Sequence, residues 1–136
     1  MNKYFLILLI SLNSNCQNLV EKITFQSANP FSLHDVITDL KNQEKQEVYG
    51  NLVLPYDSLN PNKKYPLVIG VAGSLGWKNH HYEYLTMYQN LGIATFELNS
   101  FKSRRIESTV GDQTQVTTAA MILDAYKALE VLSDHP

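Results

Sequence analysis

The densest chemistry in this chain lies between residues 72 and 82, where Ala72-Gly73-Ser74-Leu75-Gly76 leads into Trp77-Lys78-Asn79-His80-His81-Tyr82. Ala-Gly-Ser-Leu-Gly matches a nucleophile elbow, Gly-x-Ser-x-Gly, with alanine at its first position, and on that reading Ser74 is a nucleophile on a tight strand-to-helix turn. An elbow also needs an acid and then a histidine further along. Only Asp112, Glu130 or Asp134, followed by His135, can serve. The stretch Trp77 to His81 reads as a loop rather than the helix an elbow requires. The simpler alternative is a strand-ending turn, since Gly-Ser loops commonly follow apolar strands.

The neighbours extend the candidate site. Trp77, His81 and Tyr82 can line the mouth of a substrate pocket, against the alternative of plain packing. Arg104 and Arg105 fall in the loop after a later strand, near the carboxyl ends where ligands bind in open α/β sheets, and can contact a substrate carboxylate. His80-His81 does not make a metal site, because adjacent side chains diverge and no cysteine or paired carboxylates complete a ligand set. Asp112 reads as a helix cap. Glu97, at the end of an apolar strand, has no partner identifiable in the sequence.

These residues need elements to position them. Leu19 to Asn29 alternates loosely and predicts a first strand, Asp35 to Glu47 an exposed connection, and Glu47 to Pro55 a second strand closed by proline. Pro66 to Val71 is apolar without alternation, as in a strand buried on both faces. A helix from about His81 to Asn90 and a strand from Ile93 to Leu98 follow, spaced as a parallel crossover. After an irregular loop, Thr109 and Asp112 predict a helix start. Its core face is expected at Ala119, Ile122, Leu123, Tyr126 and Leu129, through Leu132. The order predicts an α/β fold with a mostly parallel sheet and flanking helices.

Three segments together carry a family likeness: Lys64 to Ile69 leading into Ala72 to Gly76, Phe101 to Arg105, and Ser108 to Gln113 before the long helix with Asp124 to Leu129. From about Val48 to Pro136 the chain resembles secreted dienelactone-hydrolase-like α/β hydrolases. The resemblance implies the N-terminal half of an α/β-hydrolase fold, truncated before the nucleophile strand. It implies hydrolysis of a small-molecule ester or lactone through a covalent acyl-enzyme, without a cofactor or metal. In that family the loop after the third strand resembles His-Gly-Ser-Gly-Gly, and the residue matching Ser74 offers its backbone amide to the oxyanion hole. Such a donor must be fixed where negative charge develops. Ala72 stands where the family has histidine, and the glutamate of the cytoplasmic enzymes is missing, so the dienelactone substrate itself is not carried over. The nucleophile, acid and histidine are expected after Pro136, on a strand beside Pro66 to Val71. Alone, the chain is expected to be inactive and to expose that strand as an edge prone to aggregation.

Composition bounds these readings. At 136 residues, 44% apolar and 18% charged, the chain is of single-domain size and globular. A formal charge of −2, with no basic run longer than Lys63-Lys64 or Arg104-Arg105, gives no footprint for nucleic acid. Lys3 followed by the apolar run Tyr4 to Leu12 outlines an export signal over residues 1–16, too short to span a bilayer, ahead of a partial hydrolase domain over 17–136. The product is expected in the periplasm or outside the cell. Cys16, the single cysteine, stands where a lipoprotein carries its acyl chain, although Asn15 departs from the usual small residue before it. Membrane contact is expected only through such lipidation. The competing class is a non-catalytic, exported or lipid-tethered binding protein.

Overall fold

The computed structural model of the chain describes residues 19–55 and 63–135, so the expected export signal and Cys16 lie outside the described residues. Strand β1 (Leu19–Ala28) turns Ile23, Phe25 and Ser27 inward, and β2 (Lys45–Leu54) does the same with Val48, Gly50 and Leu52. The two run antiparallel, with Ile23 opposite Gly50 and Phe25 opposite Val48. Between them lies helix α1 (Leu33–Thr38), in the first part of the expected exposed connection. Ser32 caps it: the Asp35 amide donates to Ser32 Oγ, and the Ser32 amide to Asp35 Oδ2. That Ser-x-x-acid spacing is a legible helix start. The polar composition of the segment obscured it.

Strand β3 (Leu67–Val71), helix α2 (Asn79–Asn90) and strand β4 (Ala94–Leu98) form the one parallel unit, after which come α3 (Ser100–Ser103) and α4 (Thr118–Ser133). The strand order is β1-β2-β4-β3. The expectation of a mostly parallel sheet forming half of an α/β-hydrolase fold is corrected here. The sheet is small and mixed, with β3 and β4 parallel and the other pairs antiparallel. The connections explain why. A parallel return requires the chain to travel the length of a strand, about 33 Å for ten residues. Helix α1 covers only about 9 Å, so the chain reverses from β1 into β2. Among the connections between the described strands, the one through α2 carries a helix long enough to return beside the sheet and start a parallel strand.

Each face of the sheet has its own helix. On one face Phe96 and Leu98 of β4 pack with Ile23, Phe25, Val48 and Leu52 against Ala128 and Leu132 of α4. On the other, Thr95 Oγ1 accepts from Gln89 Nε2 at 2.8 Å and Glu97 accepts from Tyr82 of α2.

Helix α4 departs from its expected start and phase. Its cap is Thr117, whose Oγ1 accepts from the Ala120 amide and donates to the Pro30 carbonyl. Its buried face is Ala119, Ala120, Leu123, Asp124, Ala128 and Leu132, whereas Ile122, Tyr126 and Leu129 of the expected stripe are exposed. Asp124 fixes this phase. The carboxylate is 0% exposed and takes a two-point ion pair from Arg104, Nη1 to Oδ2 at 2.7 Å and Nη2 to Oδ1 at 3.1 Å, with Ser27 Oγ also donating to Oδ1. Alanines on the same face let the helix approach closely enough for that reach.

Removing one partner of a buried pair strands the other charge, which costs about 3–5 kcal/mol. Asp124→Asn is therefore expected to lower the unfolding free energy by that much in urea titrations followed by Trp77 fluorescence, whereas Arg104→Met/Asp124→Leu should recover most of the loss. A drop below about 1 kcal/mol for Asp124→Asn would contradict the assignment.

Candidate functional site

Residues 72–77 leave β3 at its carboxyl end and close a turn in which the Gly76 amide donates to the Gly73 carbonyl at 2.8 Å, placing Ser74 second and Leu75 third. The loop is held from both sides. The Ser74 carbonyl accepts from the Thr109 amide at 2.8 Å and from Ser108 Oγ at 3.0 Å, and Trp77 Nε1 donates to the Leu98 carbonyl at 2.9 Å. Gly76 has φ +71, and a Cβ there would lie 2.6 Å from the Glu107 carbonyl oxygen, so only glycine lets the loop sit this close to the 107–109 segment. The Ser74 amide, by contrast, meets no acceptor among the described residues, and Ser74 is an exposed residue.

Beside this loop lies a cavity of about 400 Å³, walled by Val71, Leu75 and Trp77 from the β3 side and by Leu98, Phe101 and Met121 from the other. Lys78, Lys102 and Glu107 bring charge to it, and Ala72 adds a small methyl surface. Asn99 and Ser100 complete the wall. Both are buried, and Asn99 Oδ1 and Ser100 Oγ lack hydrogen-bond partners among the described residues. Sequence reasoning passed over this pair. The only signal was a polar Asn-Ser directly following an apolar strand.

The other anticipated residues divide. Trp77 lines the cavity. His81 and Tyr82 stand behind it, their rings 5.4 and 5.5 Å from the indole. His81 Nδ1 accepts from the Lys78 amide at 2.9 Å and so caps α2. Tyr82 donates to Glu97 Oε1 at 3.2 Å, while Asn51 Nδ2 donates to Glu97 Oε2 at 2.9 Å, supplying the partners Glu97 lacked in the sequence. Partial burial first, and the Glu97 carboxylate second, push the Tyr82 hydroxyl above the usual phenol range.

Arg104 turns inward, 6% exposed, and all five of its N–H donors are engaged: by both Asp124 oxygens, Asn29 Oδ1 and the carbonyls of Ala28 and Ser100. Arg105 is exposed, outside the cavity wall, with φ 59. Its amide bonds the Lys102 carbonyl while the Ile106 amide bonds that of Phe101, the two-bond closure of a helix end. Helix α2 ends with the same pair of bonds at Gly92 and Ile93. There the left-handed residue is glycine; in α3 it is an arginine.

His135 does not join Ser74. Its ring meets Glu21 at 3.1 Å and its carbonyl accepts from Lys64 Nζ, before the start of β3, whereas Ser74 follows the end of that strand. Asp112 caps no helix. It accepts from the Thr114 amide and hydroxyl and from Gln115, and the Thr114 hydroxyl first, then its amide, hold the carboxyl below the ordinary carboxylate value. Among the described residues no three His, Cys, Asp or Glu gather as metal ligands, and no helix is long and apolar enough to cross a membrane.

Two outcomes follow from these local geometries. Replacing the left-handed arginine, Arg105→Gly, should stabilise the protein by roughly 0.5–1 kcal/mol in urea titrations; a loss would mean that the side chain holds a contact outweighing the strain. Because the Asp112 carboxyl is lower in the folded than in the unfolded chain, its contribution is complete above the unfolded value of roughly 4 and disappears as pH falls through the folded one. The melting difference between wild type and Asp112→Asn should therefore shrink on acidification below that value, and a difference that stays constant down to pH 2 would refute this.

Compared with known proteins, the chain matches no family model and is similar to no curated sequence.

Proposed function

We propose that this protein hydrolyses a small carboxylic ester or lactone, with the Ser74 amide as one donor to the oxyanion and the cavity beside it holding the substrate's apolar part. The observation that carries the reading is the uncommitted Ser74 N–H, on a loop pinned at Ser74 O, Gly76 and Trp77 and opening beside a cavity of about 400 Å³. A donor held in place before reaction needs no reorganisation when charge forms on the carbonyl oxygen. The residue pattern resembling dienelactone-hydrolase-like enzymes supports the same role for Ser74; the mixed sheet adds no support of its own.

In this reaction a nucleophile attacks the carbonyl carbon, the oxyanion forms against Ser74 N–H, and collapse expels the alkoxide, leaving an acyl-enzyme that water then hydrolyses. The nucleophile, acid and histidine of such a reaction are not brought together among the described residues, and the proposal assigns Ser74 only the oxyanion role. Trp77 supplies the pocket wall, with His81 and Tyr82 supporting its ring. Arg104 acts inside the protein rather than on substrate. A second reading, a ligand-binding protein without catalysis, is favoured by the separation of His135 from Ser74.

The experiment is hydrolysis of p-nitrophenyl acetate and γ-butyrolactone by the intact protein. Ser74→Pro removes the amide at a turn position that favours proline, so kcat should fall about 10²–10³-fold with little change in melting temperature. Ser74→Ala keeps the amide and should fall far less. Complete loss in Ser74→Ala would instead make Ser74 the nucleophile, and wild-type protein inert towards both substrates would leave the binding reading.

A further inference from the structure

Gly70 stands inside β3 without a conformational need for glycine, since the glycines with positive φ are Gly76, Gly92 and Gly111. Leu67 and Ile69 of the same strand pack into the core on the α4 side, so the alternation of the strand turns Gly70 towards α2. There its missing side chain leaves room for two neighbours. A Cβ at this position would lie 2.7 Å from Trp77 Cη2, 3.6 Å from Trp77 Cζ2 and 3.3 Å from Leu85 Cδ2. The first separation is well inside the roughly 3.5–4.0 Å of a carbon–carbon contact. The indole is a rigid ring, and its Nε1 is tied to the Leu98 carbonyl at 2.9 Å, so its far edge is not free to swing aside. His81 and Tyr82 stand behind it. With β3 and Leu85 on one side and these rings on another, the cavity is the side to which the indole can yield.

We propose that Gly70 is a positioning residue that sets the size of ligand the cavity admits, by seating the Trp77 ring against β3. A methyl group at residue 70 displaces the ring by about 0.8 Å if ordinary contact is to be restored. At about 400 Å³ the cavity lies near the lower end of the roughly 300–1,000 Å³ typical of ligand pockets. A wall that advances by that much therefore removes space that a larger ligand needs and a smaller one does not. Resting on the hydrolase reading for the chemistry of the substrate, the inference is that the bulk of the ester's apolar part is limited at Trp77. Gly70 acts on it only through that ring.

Binding without turnover tests this separately from hydrolysis. Cyclohexanone and 2-decalone, one ring and two with the same carbonyl group, are titrated into the intact protein by calorimetry. The emission of Trp77, the single tryptophan, reports whether they reach the cavity. Wild type is expected to bind both, and Gly70→Ala should lower the affinity for 2-decalone relative to cyclohexanone about tenfold. Trp77→Phe removes the ring edge that meets residue 70, so in that background Gly70→Ala should change the ratio by less than about twofold. If Gly70→Ala fails to fold, Trp77→Phe alone decides, and it should shift the ratio towards 2-decalone because the wall recedes. A ratio unmoved by Gly70→Ala or by Trp77→Phe, an equal loss in both backgrounds, or no binding of either ketone to wild type would overturn the inference. The expected ratios in a protein that hydrolyses neither p-nitrophenyl acetate nor γ-butyrolactone would uphold it and sink the hydrolase reading alone.

Discussion

The buried Arg104–Asp124 pair is the constraint on which most of this structure depends. A charge removed from water must be matched donor for acceptor, and the five N–H groups of Arg104 are matched by atoms from the end of β1, from α3 and from α4. Apolar contacts of Ile23 and Phe25 with Ala128 and Leu132 also join β1 to α4, and this one side chain adds the polar tie that brings α3 to both. It also holds the Ser100 carbonyl, and with it the segment carrying Asn99, Ser100 and Phe101 into the cavity wall. The architecture of the candidate site is thus an extension of an ion pair that touches no substrate.

Backbone geometry does the rest of the positioning. Gly76 lets the 72–77 loop press against the Glu107 carbonyl, and the bonds from Thr109 and Ser108 to the Ser74 carbonyl orient the peptide groups around Ser74 without using its amide. The indole of Trp77 is tied to the Leu98 carbonyl, so the carboxyl ends of both parallel strands share one wall. Arg105 in a left-handed conformation, where α2 uses Gly92, ends α3 after a single turn and directs the chain into the 106–109 segment that braces the loop.

Much of the element order was legible in the sequence. The four strands fall close to their expected positions because short runs such as Leu67 to Val71 and Ala94 to Leu98 are apolar, β-branched or aromatic and bounded by glycine, proline or polar residues. Helix α2 was legible from its length. The phase of α4 was not, since Ile122, Tyr126 and Leu129 satisfy a helical period as well as the residues that are buried. Hydrophobic periodicity counts apolar side chains and therefore treats Asp124 as outward, whereas a buried acid faces inward when a partner from elsewhere meets it. Of the candidate site, the glycine loop and Trp77 were visible locally; the orphan oxygens of Asn99 and Ser100 were not, because an unsatisfied atom is defined only by what fails to reach it.

The sequence by itself determined the local grammar: where strands run and that Gly73 and Gly76 break the chain after β3. These follow from interactions within a few residues. The tertiary structure alone decided the direction of strand pairing, the inward turn of Arg104, the face of α4 and the two ends of β3 at which Ser74 and His135 lie. Each depends on contacts between residues far apart in the chain. Their outcome is set by which buried charges and apolar faces can be satisfied together, a condition that no short window of sequence contains.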